Sequence, residues 1–137
     1  MGFAVVMDFM QAAVEQARIA ARKGEVPIGA VIVCEGKIIA KAHNMRERKQ
    51  NALAHAEVLV IDKACRRLKS WRLENCEMYV TLEPCAMCMG AVTNARLRKV
   101  YYGALSQTDL NWKTECELVE SEECAEILKS FFKAKRV

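Results

Sequence analysis

Runs of strand-type and helix-type sequence alternate along this chain once an opening hairpin has been made, and that alternation limits the architectures open to it. Residues 28–34 and Lys37–His43 are β-rich and separated by Glu35-Gly36, which fits a tight antiparallel hairpin. Downstream, 77–82, 98–102 and 114–119 read as strands, while 54–69, 85–95 and 121–135 read as helices. An earlier helix is expected over 8–23, where Met10, Ala13, Ala17 and Ala20 recur at helical spacing, with Asp8 to cap its start and Gly24 to end it. In the second helix Val58, Ile61, Ala64, Cys65 and Leu68 share one face, and Pro84 suits the first position of the third. The last helix opens with Ser-x-x-Cys and places Glu122, Glu123 and Glu126 early, where the helix dipole favours acids. Residues 45–51 read as a polar loop. The expected fold is α/β: a three-layer α/β/α domain around a central five-stranded mixed sheet, one domain over residues 1–137. No repeat and no Pro/Gly/Ser-rich stretch divides it.

At 53% hydrophobic and 28% charged residues, the chain has the apolar material for a full core, so a disordered segment is not expected. Its longest apolar runs, 29–34 and 38–40, are too short to cross a bilayer. The first ten residues lack a basic leader, and Val6 stands where a myristoylation motif wants Ser or Thr, so cytoplasmic residence is the expectation. Seven cysteines, an odd number scattered through a domain of ordinary size, argue against a disulfide framework and towards a metal. Five of them, Cys34, Cys65, Cys76, Cys116 and Cys124, sit among apolar neighbours and read as small core hydrophobes. Basic residues gather in four groups, including Arg46/Arg48/Lys49 and Lys133/Lys135/Arg136; they fit either a polyanion partner or a solvated surface.

Two short motifs carry the chemistry. Cys85-Ala86-Met87-Cys88 opens a predicted helix, where residues three apart share a face and the helix N-terminus lowers thiol pKa values. Alone, that spacing fits a thioredoxin-like redox couple, half of a structural four-ligand zinc site, or part of a catalytic one. His55-Ala56-Glu57, thirty positions upstream and at another predicted helix start, offers a third ligand. His55, Cys85 and Cys88 would fill three corners of a tetrahedral zinc site, and an open fourth corner marks a catalytic ion. Zinc lowers the pKa of water from ~15.7 towards ~7. Glu57, not itself a ligand, is placed to move the proton to a ring nitrogen and then to departing ammonia. The pairing of H-x-E with P-C-x-x-C is that of the zinc deaminases that act on nucleobases.

At this point the chain resembles the bacterial tRNA-specific adenosine deaminases of the cytidine-deaminase-like superfamily. Gly24-Glu25-Val26-Pro27-Ile28-Gly29-Ala30-Val31, Ala54-His55-Ala56-Glu57, Tyr79-Val80-Thr81-Leu82-Glu83-Pro84-Cys85-Ala86-Met87-Cys88 and the late Glu123-Cys124 followed by Phe131-Phe132 carry the resemblance, in the family's order. It implies one zinc ion per chain and conversion of adenosine to inosine at the wobble position of a tRNA anticodon. It also implies a homodimer whose second subunit helps hold the RNA. By position it implies that Asn44 contacts base and ribose, that Ile28 and Pro84 contribute pocket walls, and that Phe131, Phe132, Lys133 and Arg136 lie near RNA. One departure stands out. After Tyr102-Gly103-Ala104 the family continues with an Asp two positions on and a longer Gly-rich segment, whereas here Ser106 takes that place and the segment is shortened. Residues before Met7 resemble an extension, so the start is Met1 or Met7.

Two other readings stay open. The same chemistry could act on free guanine, cytosine or a nucleoside, or the chain could be a non-catalytic, zinc-stapled RNA-binding module. Base chemistry needs the nucleotide out of its stack, which favours a loop such as an anticodon over a duplex.

Overall fold

The hairpin forms where the sequence asks for it. In the computed structural model, which describes residues 2–106 and 114–135, β1 (Gly29–Cys34) and β2 (Lys37–His43) pair antiparallel. Glu35 and Gly36 both have positive φ, 50° and 78°, the left-handed pair that a two-residue hairpin turn requires. β1 then pairs antiparallel with β3 (Cys76–Val80). The parallel partners β4 (Lys99–Tyr102) and β5 (Glu115–Leu118) complete a five-stranded mixed sheet in the order β2-β1-β3-β4-β5.

Alternate residues of the central strands feed two cores. Ala30, Ile32, Met78, Val80 and Val100 face one side, covered by α3 (Ala56–Leu68) and α4 (Ala86–Ala95). Val31, Val33, Tyr79 and Tyr101 face the other, covered by α1 (Phe3–Arg22), with Cys124 of α5 (Glu122–Lys135) completing that layer. This is the expected three-layer arrangement. It explains why β1 reads as an unbroken apolar run and why β3 departs from one only at Glu77, which pairs with Arg98: with both faces buried there is little polar alternation to see. Gly29 lets α1 lie directly on the sheet, since a Cβ there would collide with the backbone of Ala13 and Ala17.

Three local expectations are corrected. α1 begins at Phe3, not residue 8, and Asp8 is an exposed residue inside it; burial of Val6 and Met10 against the sheet extends the helix without a side-chain cap. The polar segment 45–51 contains a single-turn helix, α2 (Arg46–Lys49). Pro84 does not occupy the first helical position: Cys85 is the N-cap of α4, and Pro84 lies buried just before it. Met7 lies within α1. Met1, Arg136 and the shortened stretch over 107–113 lie outside the described residues.

Candidate metal centre and substrate groove

α3 and α4 pack together on one face of the sheet and bring their starts together. His55 and Cys85 are their N-caps, extended residues whose carbonyls accept the first helical bonds from Leu59 and Met89, each at 3.0 Å. Cys88, one turn into α4, is fully buried. The imidazole Nδ1 of His55 lies 3.8 Å from Cys85 Sγ and 3.5 Å from Cys88 Sγ. All three candidate ligand atoms lie within 4.8 Å of one another, the one such group among the described residues. A tetrahedral zinc ion with usual bond lengths holds nitrogen and sulfur ligands about 3.5 Å apart. The triangle therefore has the size of a coordination face.

The electrostatics agree with a cation there. Burial, then the Arg46 charge, lowers the His55 pKa and favours the neutral ring that ligates metals. Burial, then the Glu57 charge, pushes the Cys88 thiol well up, a setting that a divalent cation reverses by displacing the thiol proton. Glu57 follows His55 by two residues and is only 3% exposed. Burial pushes its carboxyl up to about 7, partly opposed by its own backbone N–H and by Cys88. Its Oε1 is buried without a hydrogen-bond partner. A buried carboxylate oxygen left unmatched costs roughly 1–3 kcal/mol or more, so this is a position held for something the chain itself does not supply. The donor set and the orphaned oxygen both fit zinc with a water beside it.

Asn44 is buried just past the end of β2, where its Oδ1 accepts the Ala56 N–H at 2.7 Å and so caps α3 from outside. Its amide nitrogen remains to donate. A groove of about 480 Å³ runs from Asn44 past Arg46 to Phe131, Phe132 and Lys135. The two phenyl rings meet edge to face at 5.4 Å, and Lys135 Nζ sits 5.4 Å from the centre of the Phe131 ring. The structure thus brings Asn44 and both phenylalanines to one opening. It does not bring Lys133 there: that side chain is exposed and does not line the groove. Ile28 packs partly buried against the core over α3 and α4, with its N–H on Val26 O at 2.8 Å. A larger hollow of about 580 Å³ between α1 and α5 is lined by none of His55, Glu57, Cys85 and Cys88.

Sequence reasoning passed over two supports. Thr81 clips β1 to the site loop by accepting the Gly29 N–H on Oγ1 at 3.2 Å, while its own N–H donates to Gly29 O at 3.0 Å. Glu83, next to Pro84, donates its N–H to Ala104 O at 2.9 Å. Its Oε1 accepts from both N and Oγ of Ser106, at 3.2 and 3.1 Å. The residue that departs from the family pattern is thereby fastened to the loop that carries Cys85. The only signal for Thr81 and Glu83 was their place inside the Thr-Leu-Glu-Pro-Cys run.

The profile of the MafB19-like deaminases matches residues 6–136. The tRNA-specific adenosine deaminase of Bacillus subtilis is 48% identical over 93% of this chain and 89% of its own length. That of Aquifex aeolicus is 44% identical over 93% and 94%. Among solved structures, one from work on A-to-I editing by tRNA:A34 deaminases superposes with a TM-score of 0.82 at 38% identity, covering 89% of this chain and 99% of that one. A guanine deaminase from Bacillus subtilis superposes at 0.70 with 29% identity, covering 97% and 95%.

Proposed function

This chain belongs to the MafB19-like deaminase family and to the tRNA-specific adenosine deaminases, and from that membership we propose that it hydrolyses adenosine to inosine at the wobble position of a tRNA anticodon. The observation that carries the reading is the meeting of His55, Cys85 and Cys88 beside the orphaned Oε1 of Glu57. Those three residues would hold one zinc ion per chain. When bound there, zinc supplies Lewis acidity that makes water a nucleophile near neutral pH.

The chain's own groups do the rest. Glu57 takes one proton of the attacking water and passes it to the ring nitrogen next to the reacting carbon, then takes the second from the added hydroxyl and delivers it to the amino group, which leaves as ammonia. Water adds and ammonia departs, so adenosine becomes inosine with no other reactant. Asn44, its oxygen held by Ala56 N–H, is left to donate its amide to base or ribose. Pro84, buried before Cys85, and Ile28 would wall the pocket. Phe131 and Phe132 offer rings for bases beside the target, and stacking of that kind contributes about 1–3 kcal/mol per base. Arg46 and Lys135 offer charge for the phosphates between them, and Lys133 and Arg136 would add to it from the tail.

The reading includes a single deaminase domain over residues 1–137, acting in the cytoplasm on an anticodon stem-loop. Among the described residues no helix is long and apolar enough to cross a membrane. A homodimer is part of it: Leu53, 57% exposed, and Met87, 36% exposed, are apolar side chains left open to solvent within two residues of the metal ligands in sequence. Light scattering should then return twice the chain mass.

Incubation of the zinc-loaded protein with total tRNA, followed by nucleoside chromatography, should yield inosine at the wobble position. The guanine deaminase likeness motivates one rival: ammonia released from guanine, with adenosine in tRNA untouched, would select it.

A further inference from the structure

A four-residue helix has no stability of its own, because one turn fixes several dihedral angles for very few hydrogen bonds. α2 (Arg46–Lys49) has no side-chain cap from its N-cap residue Met45. Its first-turn amides are instead taken up by Glu25, a residue of the loop after α1. Glu25 Oε1 accepts Glu47 N–H at 3.1 Å, and Oε2 accepts Arg48 N–H at 2.8 Å. Glu25 is 1% exposed, and its own N–H donates to Ala20 O in the last turn of α1 at 3.0 Å. A buried carboxylate is tolerated only where its charge is matched. Two backbone donors and the helix start supply that match here.

What α2 carries is the rim of the groove. Arg46 lines it, is exposed, and has no ion-pair partner among the described residues. Asn44 and Met45 lead directly into α2, with Asn44 N–H on Ile28 O at 3.1 Å and Met45 N–H on Ala54 O at 2.9 Å. The rim is therefore hung between two fixed points: Glu25 beneath its start and Ala54 beside the metal helix.

We propose that Glu25 is a positioning residue for substrate: by gripping the Glu47 and Arg48 amides it holds α2 so that Arg46 and Asn44 meet the RNA in one geometry. This rests on the RNA-deaminase reading above. Among the described residues the hydrogen bonds of Glu25 run to Ala20, Glu47 and Arg48 and not to the metal ligands or Glu57, so its effect should fall on binding and not on the chemical step.

The test compares zinc-loaded wild type with Glu25→Gln, Glu25→Ala and Arg46→Ala on an anticodon stem-loop RNA, together with amide exchange of the free proteins. Glu25→Gln keeps one accepting oxygen and turns an NH2 towards the second amide. Loss of one charge-assisted bond of this kind predicts a KM raised about tenfold. The kcat should stay within about threefold, since only uniform binding is lost. Glu47 and Arg48 amides should exchange faster in both Glu25 variants, and Glu25→Ala should show the larger KM rise. Arg46→Ala should raise KM with those amides still protected, and adding it to Glu25→Ala should raise KM by less than the product of the two effects. Unchanged protection of the two amides would overturn the grip. Fast exchange with KM unaltered, or a fall in kcat accompanied by zinc loss, would overturn the positioning role. A wild type that makes no inosine overturns the RNA reading instead, and the exchange data still decide whether Glu25 holds α2.

Discussion

The metal centre and α5, to which the proposed function assigns the chemistry and the RNA contact, are built in opposite ways. At the centre, the chemistry-bearing side chains hang from the first turns of two helices that are packed into the core along their length, and Cys88 and Glu57 have almost no access to solvent. Along α5, only Cys124 of fourteen residues is buried. Phe132 is 46% exposed, and the helix is tied to α1 by the Arg18–Glu123 ion pair. The contrast separates two requirements. A proton carrier and three ligand atoms must be held within fractions of an ångström, which only a packed interior provides. A surface that meets a flexible RNA loop gains from rings and charges that can adjust, and it needs only to be nearby.

That contrast can be broken by substitution. Glu57→Ala should lower kcat by about 10²–10⁴-fold, the usual worth of a general acid–base. Zinc should remain near one per chain by elemental analysis, because Glu57 is not a ligand; full retained activity would remove Glu57 from the mechanism. Stripping the metal with a chelator should cost about 3–4 kcal/mol of stability when zinc had been present at 100–1,000 times its Kd. A thermal midpoint indifferent to chelator would mean that the helix starts hold their shape without an ion. Phe132→Ala should leave the midpoint almost unmoved but raise KM for the stem-loop about tenfold, at the lower end of base-stacking energies. A large loss of stability there would make α5 part of the core. The smallest effect sharpens the comparison: Arg18→Ala removes a half-exposed ion pair worth at most about 1 kcal/mol. Calorimetry should register a small shift, diminished further in high salt.

How far these features could be read in advance followed the physics of each. The approach of His55 to Cys85 and Cys88 was legible because one ion demands that its ligands meet, whatever the path of the chain between them. The central strands were legible from largely apolar runs bounded by turn residues, and β5 from the alternation of Cys116 and Leu118 with Glu115 and Glu117. Their order was not, since β1 carries nothing in its own sequence that chooses β3 as its second neighbour. α2 was missed because its four residues, though good helix formers, are all polar and present no apolar face, and what holds them is Glu25, some twenty positions earlier. The early start of α1 was missed for a related reason: Val6 is helical because the sheet beneath it gains a buried side chain, not because a capping residue precedes it. His55 and Cys85 were placed inside their helices when each is the residue before, an offset of one that pattern alone cannot resolve.

Gly29 gives the fold a quality usually sought in instruments. Because nothing stands between its α-carbon and the backbone of α1, that helix has no spacer by which its height above the sheet could drift. Glu25 hangs from the last turn of the same helix, and the rim of the groove at α2 hangs from Glu25. The missing methyl group thus sets a datum from which the width of the entrance is gauged. A single carbon added at residue 29 would tilt the beam and misalign a doorway it never touches.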